Sequence, residues 1–152
     1  MSKFNDFLQR YGAYLALLPA LAALLGSLYY SEIAGFIPCT LCWYQRILMY
    51  PLTIIILVGI FTQDEYLPNY VLPFSIIGMF ISGYHYLIQW GVFGHPAACE
   101  AGIPCDMRWV NYLGFITIPF QALVAFILIT IIMAAVKWGH STETAPGAAT
   151  AQ

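Results

Sequence analysis

Charge is scarce in this chain of 152 residues: Asp, Glu, Lys and Arg together make up 8% of it, against about a quarter in a typical soluble domain. With 61% apolar residues, a globule of this length has too few charges to cover its own surface, which excludes an ordinary soluble enzyme. The same apolar content excludes a disordered chain. Lys and Arg number 5 against 7 Asp and Glu, for a net charge of −2, so no basic face is available to bind nucleic acid. Cysteine is sparse as well, and four in the whole chain are too few for a disulfide scaffold. What is present in quantity is long uncharged stretches, the mark of an integral membrane protein.

Those stretches set the number of spans. Residues 11–31, 47–63, 66–99 and 109–136 contain no charged side chain, in runs of 21, 17, 34 and 28. A spanning helix needs about 20 mainly apolar residues, so each run holds one helix, and the 34-residue run is too short for two spans and a turn. The expected class is all-α: a four-transmembrane-helix bundle over 1–138, with spans near Tyr11–Tyr30, Tyr44–Phe61, Tyr70–Trp90 and Asn111–Val136, and a disordered tail over 139–152. Helices are the default because backbone groups in hydrocarbon must be satisfied within the segment. A barrel would show short alternating segments instead. The first run is read as a span rather than a cleaved leader, since its apolar stretch exceeds the usual core of about 7–15 residues.

Two arguments orient the bundle. Lys3, Arg10 and Lys137 flank the outer ends of spans one and four, while Arg46 and Arg108 lie on the opposite side. The excess favours cytoplasmic termini. By parity, the segments after spans one and three share the other face, and they carry all four cysteines: Cys39 and Cys42, then Cys99 and Cys105. Paired cysteines belong on an oxidising, extracytoplasmic face.

Cys39-Thr40-Leu41-Cys42 enters span two. A Cys-x-x-Cys at a helix N-terminus suits redox chemistry, because the positive helix end stabilises the thiolate that attacks or leaves in disulfide exchange. Arg46 follows Cys42 by four residues, on the same helix face, where a cation stabilises a thiolate at Cys42 or holds an anionic reduced acceptor. Cys99 and Cys105 enclose five residues including Gly102 and Pro104, which permits a small closed loop. Spacing leaves several readings open: two structural staples, a four-thiolate zinc site, unrelated buried cysteines, or a dithiol relay. In a relay an aqueous dithiol reduces the outer pair, the outer pair reduces the inner pair, and the inner pair needs a lipid-soluble two-electron acceptor. A quinone meets that need, and the sequence has no haem or flavin signature.

Pro38-Cys39-Thr40-Leu41-Cys42-Trp43-Tyr44-Gln45-Arg46 resembles the P-C-x-L-C-x-[YW]-[QE]-R signature of the DsbB family of disulfide bond formation proteins. Tyr112-Leu113-Gly114-Phe115-Ile116-Thr117-Ile118-Pro119 and the order of spans and cysteine pairs are similar to that family too. Only five residues separate Cys99 from Cys105, where proteobacterial members have a much longer loop; this resembles the short-loop, BdbC-like branch. The resemblance implies a protein-dithiol:quinone oxidoreductase of a bacterial cell membrane that reoxidises a DsbA-like thioredoxin-fold thiol oxidase. It implies ubiquinone or menaquinone as cofactor, Cys39 and Cys42 as the quinone-coupled pair, and Cys42 as the cysteine that meets the quinone. Arg46 would bind the quinone oxygen, Cys99 would form the mixed disulfide with the partner, and Cys105 would resolve it or relay to the inner pair. A vitamin-K-epoxide-reductase-like protein is the rival enzyme class, but such proteins carry their Cys-x-x-Cys late in the bundle.

His85 and Gln89 share a face of span three. His85 is the second cofactor-binding candidate, as a hydrogen-bond or proton donor to quinone; an interhelical hydrogen bond is the alternative for both. His95, Glu32, Glu100, Asp106 and Arg108 read as loop residues. Trp43, Tyr44, Trp90 and Trp109 read as an aromatic belt, Pro19, Pro51 and Pro119 as kinks inside spans, and Gly26, Gly78, Gly83 and Gly114 as close-packing positions. No metal is expected.

Overall fold

The computed structural model describes residues 2–94, 99 and 103–144. Helix α1 runs over Ser2–Leu28 and continues into a single π-helical turn, Tyr29–Ile33; α2 is Thr40–Thr62, α3 is Leu67–Gln89 and α4 is Ile118–Thr144. All four are long and apolar enough to cross a membrane. The protein is an all-α membrane bundle. Each helix packs on its two neighbours in a ring, α1 on α2 and α4, α3 on α2 and α4.

The ring closes over Ala16, Ala20, Leu52, Ile56, Val71, Phe126, Ile129 and Met133, all buried. Small residues set the spacing where helices meet. At Gly78 on α3, an added Cβ would collide with the ring of Phe126 on α4, so that contact exists only because the position is glycine. Two polar core groups find partners inside the bundle: Thr130 Oγ1 donates to Ser75 Oγ across α4 and α3 at 3.0 Å, and Thr53 Oγ1 donates back to Met49 O at 2.9 Å. The outward face carries Leu18, Leu25, Ile54, Phe61, Phe80 and Ile131, all exposed. A contiguous apolar exterior of this kind is stable against lipid rather than water.

The ends of the helices depart from the sequence expectations for local reasons. Helix α2 begins at Thr40, not Tyr44, because Cys39 serves as its N-cap: Cys39 has extended backbone (φ −73°, ψ 171°) and its sulfur accepts from Cys42 N. Helix α4 begins at Ile118, not Asn111. The intervening segment folds back on itself through Tyr112 and Ile116, which exchange backbone hydrogen bonds of 3.0 and 2.9 Å, with Leu113 and Gly114 in the left-handed region (φ 54° and 84°). Pro119 therefore sits in the first turn of α4, where its missing N–H costs nothing, and does not kink a span. At its other end α4 continues through Thr144, past the tail boundary expected at Gly139. One glycine costs a helix only about 1 kcal/mol, less than propagation from a long preceding helix supplies. Residues 145–152, His95 and Glu100 lie outside the described residues.

Candidate functional site

Both cysteine pairs lie at one end of the bundle. Cys39, Leu41, Ile88, Cys99 and Cys105 form a single buried cluster. Cys99 and Cys105 are joined as a disulfide with Cα atoms 5.7 Å apart. Cys39 and Cys42 are free, with their sulfurs 2.8 Å apart.

The inner pair is shaped by the start of α2. The Cys39 sulfur accepts from Cys42 N at 3.3 Å, in the position where Ser or Asp caps an ordinary helix. It also lies 3.6 Å from His85 Nε2. The hydrogen bond from the Cys42 thiol, opposed by burial and reinforced by His85, holds the Cys39 thiol well below its ordinary range, at about 4. These hydrogen bonds favour the anion on Cys39 over Cys42. The sequence pointed to Cys42, because Arg46 is visible in the motif while the hydrogen bonds converging on Cys39 are not.

His85 is buried on α3. Its Nδ1 lies 3.0 Å from Gln45 Nε2, and its Nε2 lies 3.0 Å from the Cys105 carbonyl oxygen. One imidazole thus touches the inner pair, the outer pair and α2. Gln45 was present in the motif without an assigned role; its signal was a buried amide one turn along from the Cys-x-x-Cys.

Arg46 turns the other way. Its Nη2 donates to Ser27 O at 3.0 Å, just before the π-helical turn of α1, and its guanidinium lies 5.5 Å from the Trp43 ring centroid. These partners offset the cost of a cation at a membrane boundary. Cys42 and Arg46 both line a cavity of about 360 Å³, which also takes in Ser27, Tyr30, Gln45 and Gln121 and runs between α1 and α4 past Ala22, Gly26, Ala122 and Ala125. At Gly26, an expected packing position, an added Cβ meets nothing within 4 Å; the small residues there leave space open. Cys39 and His85 are not on this cavity. They line a separate narrow crevice with Cys42, Gln89, Pro104 and Met107.

The outer segment is tied to the end of α3. Gln89 Nε2 donates to Met107 O at 3.3 Å, Arg108 Nη2 donates to Gln89 O, and the Arg108 guanidinium lies 5.0 Å from the Trp90 ring centroid. Arg108 is thus a helix-end clamp rather than a free loop charge. Trp109 stacks on Phe36 (5.2 Å between centroids) and Phe36 on Tyr30 (6.0 Å), so Trp109 lines the cavity on one side while staying exposed on the other. Trp43 and Tyr44 remain exposed.

Cys39, Cys42 and His85 offer three metal-ligand atoms within 4.8 Å of one another. The disulfide removes Cys99 and Cys105 from any four-thiolate zinc site.

The sequence profile of disulfide bond formation protein DsbB matches residues 9–136. The chain belongs to the DsbB family. It is 55% identical over 125 residues to disulfide bond formation protein C of Bacillus subtilis (strain 168), covering 82% of this chain and 90% of that one. It is 53% identical over 115 residues to a probable disulfide formation protein C of Halalkalibacterium halodurans, covering 75% and 84%. It is 47% identical over 106 residues to an SPbeta prophage-derived disulfide bond formation protein B of Bacillus subtilis (strain 168), covering 69% and 71%. No solved structure matches it. Membership of the DsbB family and these relatives make the chain a membrane oxidoreductase that generates disulfides, on the short-loop branch that the x5 spacing of its outer cysteines resembles.

Proposed function

We propose that this DsbB-family chain is a thiol:quinone oxidoreductase of a bacterial cell membrane. It reoxidises a DsbA-like thioredoxin-fold thiol oxidase and passes the electrons to ubiquinone or menaquinone, with its termini cytoplasmic and both cysteine segments extracytoplasmic. The observation that carries this reading is the division of the inner pair: Cys42 opens onto the cavity with Arg46, while Cys39 packs with the outer disulfide.

The residues present fit a quinone. The cavity has a guanidinium and a thiol at one end, and a slot of small apolar side chains leading away from them between two helices. Its volume falls within the range usual for small-molecule sites. Arg46 would hold the ring oxygen, and the slot past Gly26 and Ala122 would take the tail. A quinone bound there supplies a sink for two electrons and two protons.

The chain's own residues do the rest. The reduced partner attacks Cys99, forming a mixed disulfide and freeing the Cys105 thiolate. Cys105 attacks Cys39 of the oxidised inner pair; the Cys39–Cys105 bond forms, the Cys39–Cys42 bond breaks, and Cys42 leaves as a thiolate. Cys42 then has no sulfur partner and faces Arg46, whose charge stabilises it as an anion. The partner's second thiol releases its own disulfide from Cys99. Cys99 next attacks Cys105, restoring the outer disulfide and freeing Cys39. The arrangement with Cys99–Cys105 closed and Cys39 and Cys42 free corresponds to the end of that sequence. A purely structural role for the cysteines gives no reason for Cys42 to line the cavity beside Arg46.

The test is oxidation of a reduced DsbA-like protein by the purified chain in detergent, with and without a short-chain quinone. Turnover should require quinone and vanish in Cys42→Ser. Arg46→Ala should raise the quinone KM about tenfold or more, the loss expected of one charge-assisted hydrogen bond, and leave the partner KM within about twofold. Normal turnover in Cys42→Ser would defeat the relay, and an unchanged quinone KM in Arg46→Ala would move the quinone site elsewhere.

A further inference from the structure

We propose that His85 is a catalytic residue of the exchange between the two cysteine pairs, receiving the Cys39 sulfur on its Nε2–H as that sulfur leaves. The proposal rests on the relay described above and assigns a residue to one of its steps.

The argument begins with the tautomer. Gln45 Nε2, an amide nitrogen, donates and does not accept, so at 3.0 Å it fixes His85 Nδ1 as the acceptor. The ring proton of the neutral imidazole is then on Nε2. That single N–H faces two acceptors, the Cys105 carbonyl at 3.0 Å and the Cys39 sulfur at 3.6 Å. One belongs to the outer pair and the other to the inner pair. A histidine only 1% exposed inside a membrane span is costly unless it has partners, and both of its partners beyond Gln45 are cysteines of the relay. Its place is the crevice with Cys39 and Pro104, not the cavity with Arg46. The titratable groups facing the Cys39 sulfur among the described residues are Cys42 and His85.

The step is a thiolate exchange. Cys99 attacks the Cys105 sulfur; the Cys99–Cys105 bond forms, the Cys39–Cys105 bond breaks, and Cys39 leaves with the electron pair. No proton is transferred. His85 keeps its Nε2 proton and hydrogen-bonds to the new anion, while the same N–H anchors the Cys105 backbone beside it. Reduction of the inner pair is thereby favoured over reduction of the outer pair. Gln45 acts through His85 as a positioning residue, by keeping the proton on Nε2.

The test uses the full chain in detergent without quinone. In a Cys99→Ala/Cys105→Ala background, equilibration in glutathione buffers followed by thiol alkylation gives the potential of Cys39–Cys42. His85→Leu should lower the equilibrium constant for reducing that pair about tenfold, close to 30 mV. His85→Gln, whose amide nitrogen reaches where Nε2 sits, should recover most of the loss. The Cys99–Cys105 potential, measured with Cys39 and Cys42 both changed to Ala, should stay within about 10 mV in His85→Leu, a twofold change by the same constant. An inner-pair potential that does not move in His85→Leu overturns the proposal, as does an equal shift of both pairs or a failure of His85→Gln to rescue. The relay itself is read separately from the Cys42→Ser/Cys99→Ser variant, which on oxidation should form a Cys39–Cys105 disulfide detectable by peptide mapping. If that bond does not form, the relay fails; if it forms while the potential is unmoved, only the role of His85 fails.

Discussion

At the scale of single residues, Cys39 does two jobs with one sulfur. It caps α2 by accepting from Cys42 N, and it is the cysteine that packs with the outer pair. A helix N-terminus carries partial positive charge, so an anion there helps the helix as well as the chemistry. The thiol is held at about 4, below its ordinary value. The sign follows directly: the anion is present above that pH and is lost as pH falls through it. The reduced chain should therefore keep its ultraviolet thiolate absorbance from neutral pH down to about pH 5 and lose it below pH 4. Cys39→Ser should remove that absorbance while leaving the helix content unchanged, because serine is a good N-cap. Absorbance that survives in Cys39→Ser would put the anion on Cys42. The motif identified the cysteines and Arg46 as a group, since all fall within eight residues. It could not reveal that Gln45 and His85, 40 residues apart, meet beside Cys39; that pairing depends on how α2 and α3 pack.

At the scale of elements, glycine has opposite meanings in two helices. On α3, Gly78 admits the Phe126 ring of α4. On α1, Gly26 faces the cavity and nothing fills its Cβ position. Gly78→Val should overpack that contact and destabilise the bundle by about 1–3 kcal/mol, lowering the unfolding temperature in detergent. Gly26→Leu should leave that temperature nearly unchanged and instead block the slot, raising the quinone KM. A reversal of the two phenotypes would mean that the slot is packed shut in the membrane and that the quinone lies elsewhere. Uncharged runs made the four helices legible, because each long gap between charges reflects one crossing. Helix starts were less legible. The uncharged residues 111–117 continue the apolar pattern of α4 but are spent on a turn with Leu113 and Gly114 at positive φ, and a count of charges cannot distinguish a turn from a helix. Cys39 as a cap was missed for a related reason, since cysteine is not among the residues that ordinarily mark helix starts.

At the scale of the whole molecule, both cysteine pairs and the part of the cavity lined by Cys42 and Arg46 are gathered at one end of the bundle, while the α2–α3 connection lies at the other. Gln63 ends α2 in the left-handed region (φ 52°) and Asp64 Oδ1 accepts from Tyr66 N at 2.8 Å, a tight turn that carries no cysteine. In the proposed relay, electrons from an aqueous partner would enter at one end and need only reach a lipid-soluble acceptor in the same half of the bundle, so the path would cross between helices rather than across the membrane. On that proposal no electron crosses the membrane through the protein, and direction depends on the difference between the acceptor's and the partner's potentials, about 1.4 kcal/mol for each 30 mV. Sidedness carries the remaining weight, because a partner that oxidises exported proteins works only outside the cytoplasm. A cysteine-free chain with Met107→Cys, an exposed position on the outer segment, should react with a membrane-impermeant maleimide added to intact cells. Glu65→Cys, exposed in the α2–α3 turn, should react only after the cells are opened. The opposite labelling pattern would put the disulfide chemistry in a reducing compartment, where glutathione keeps thiols reduced, and the oxidase reading would fail even with every residue of the site in place.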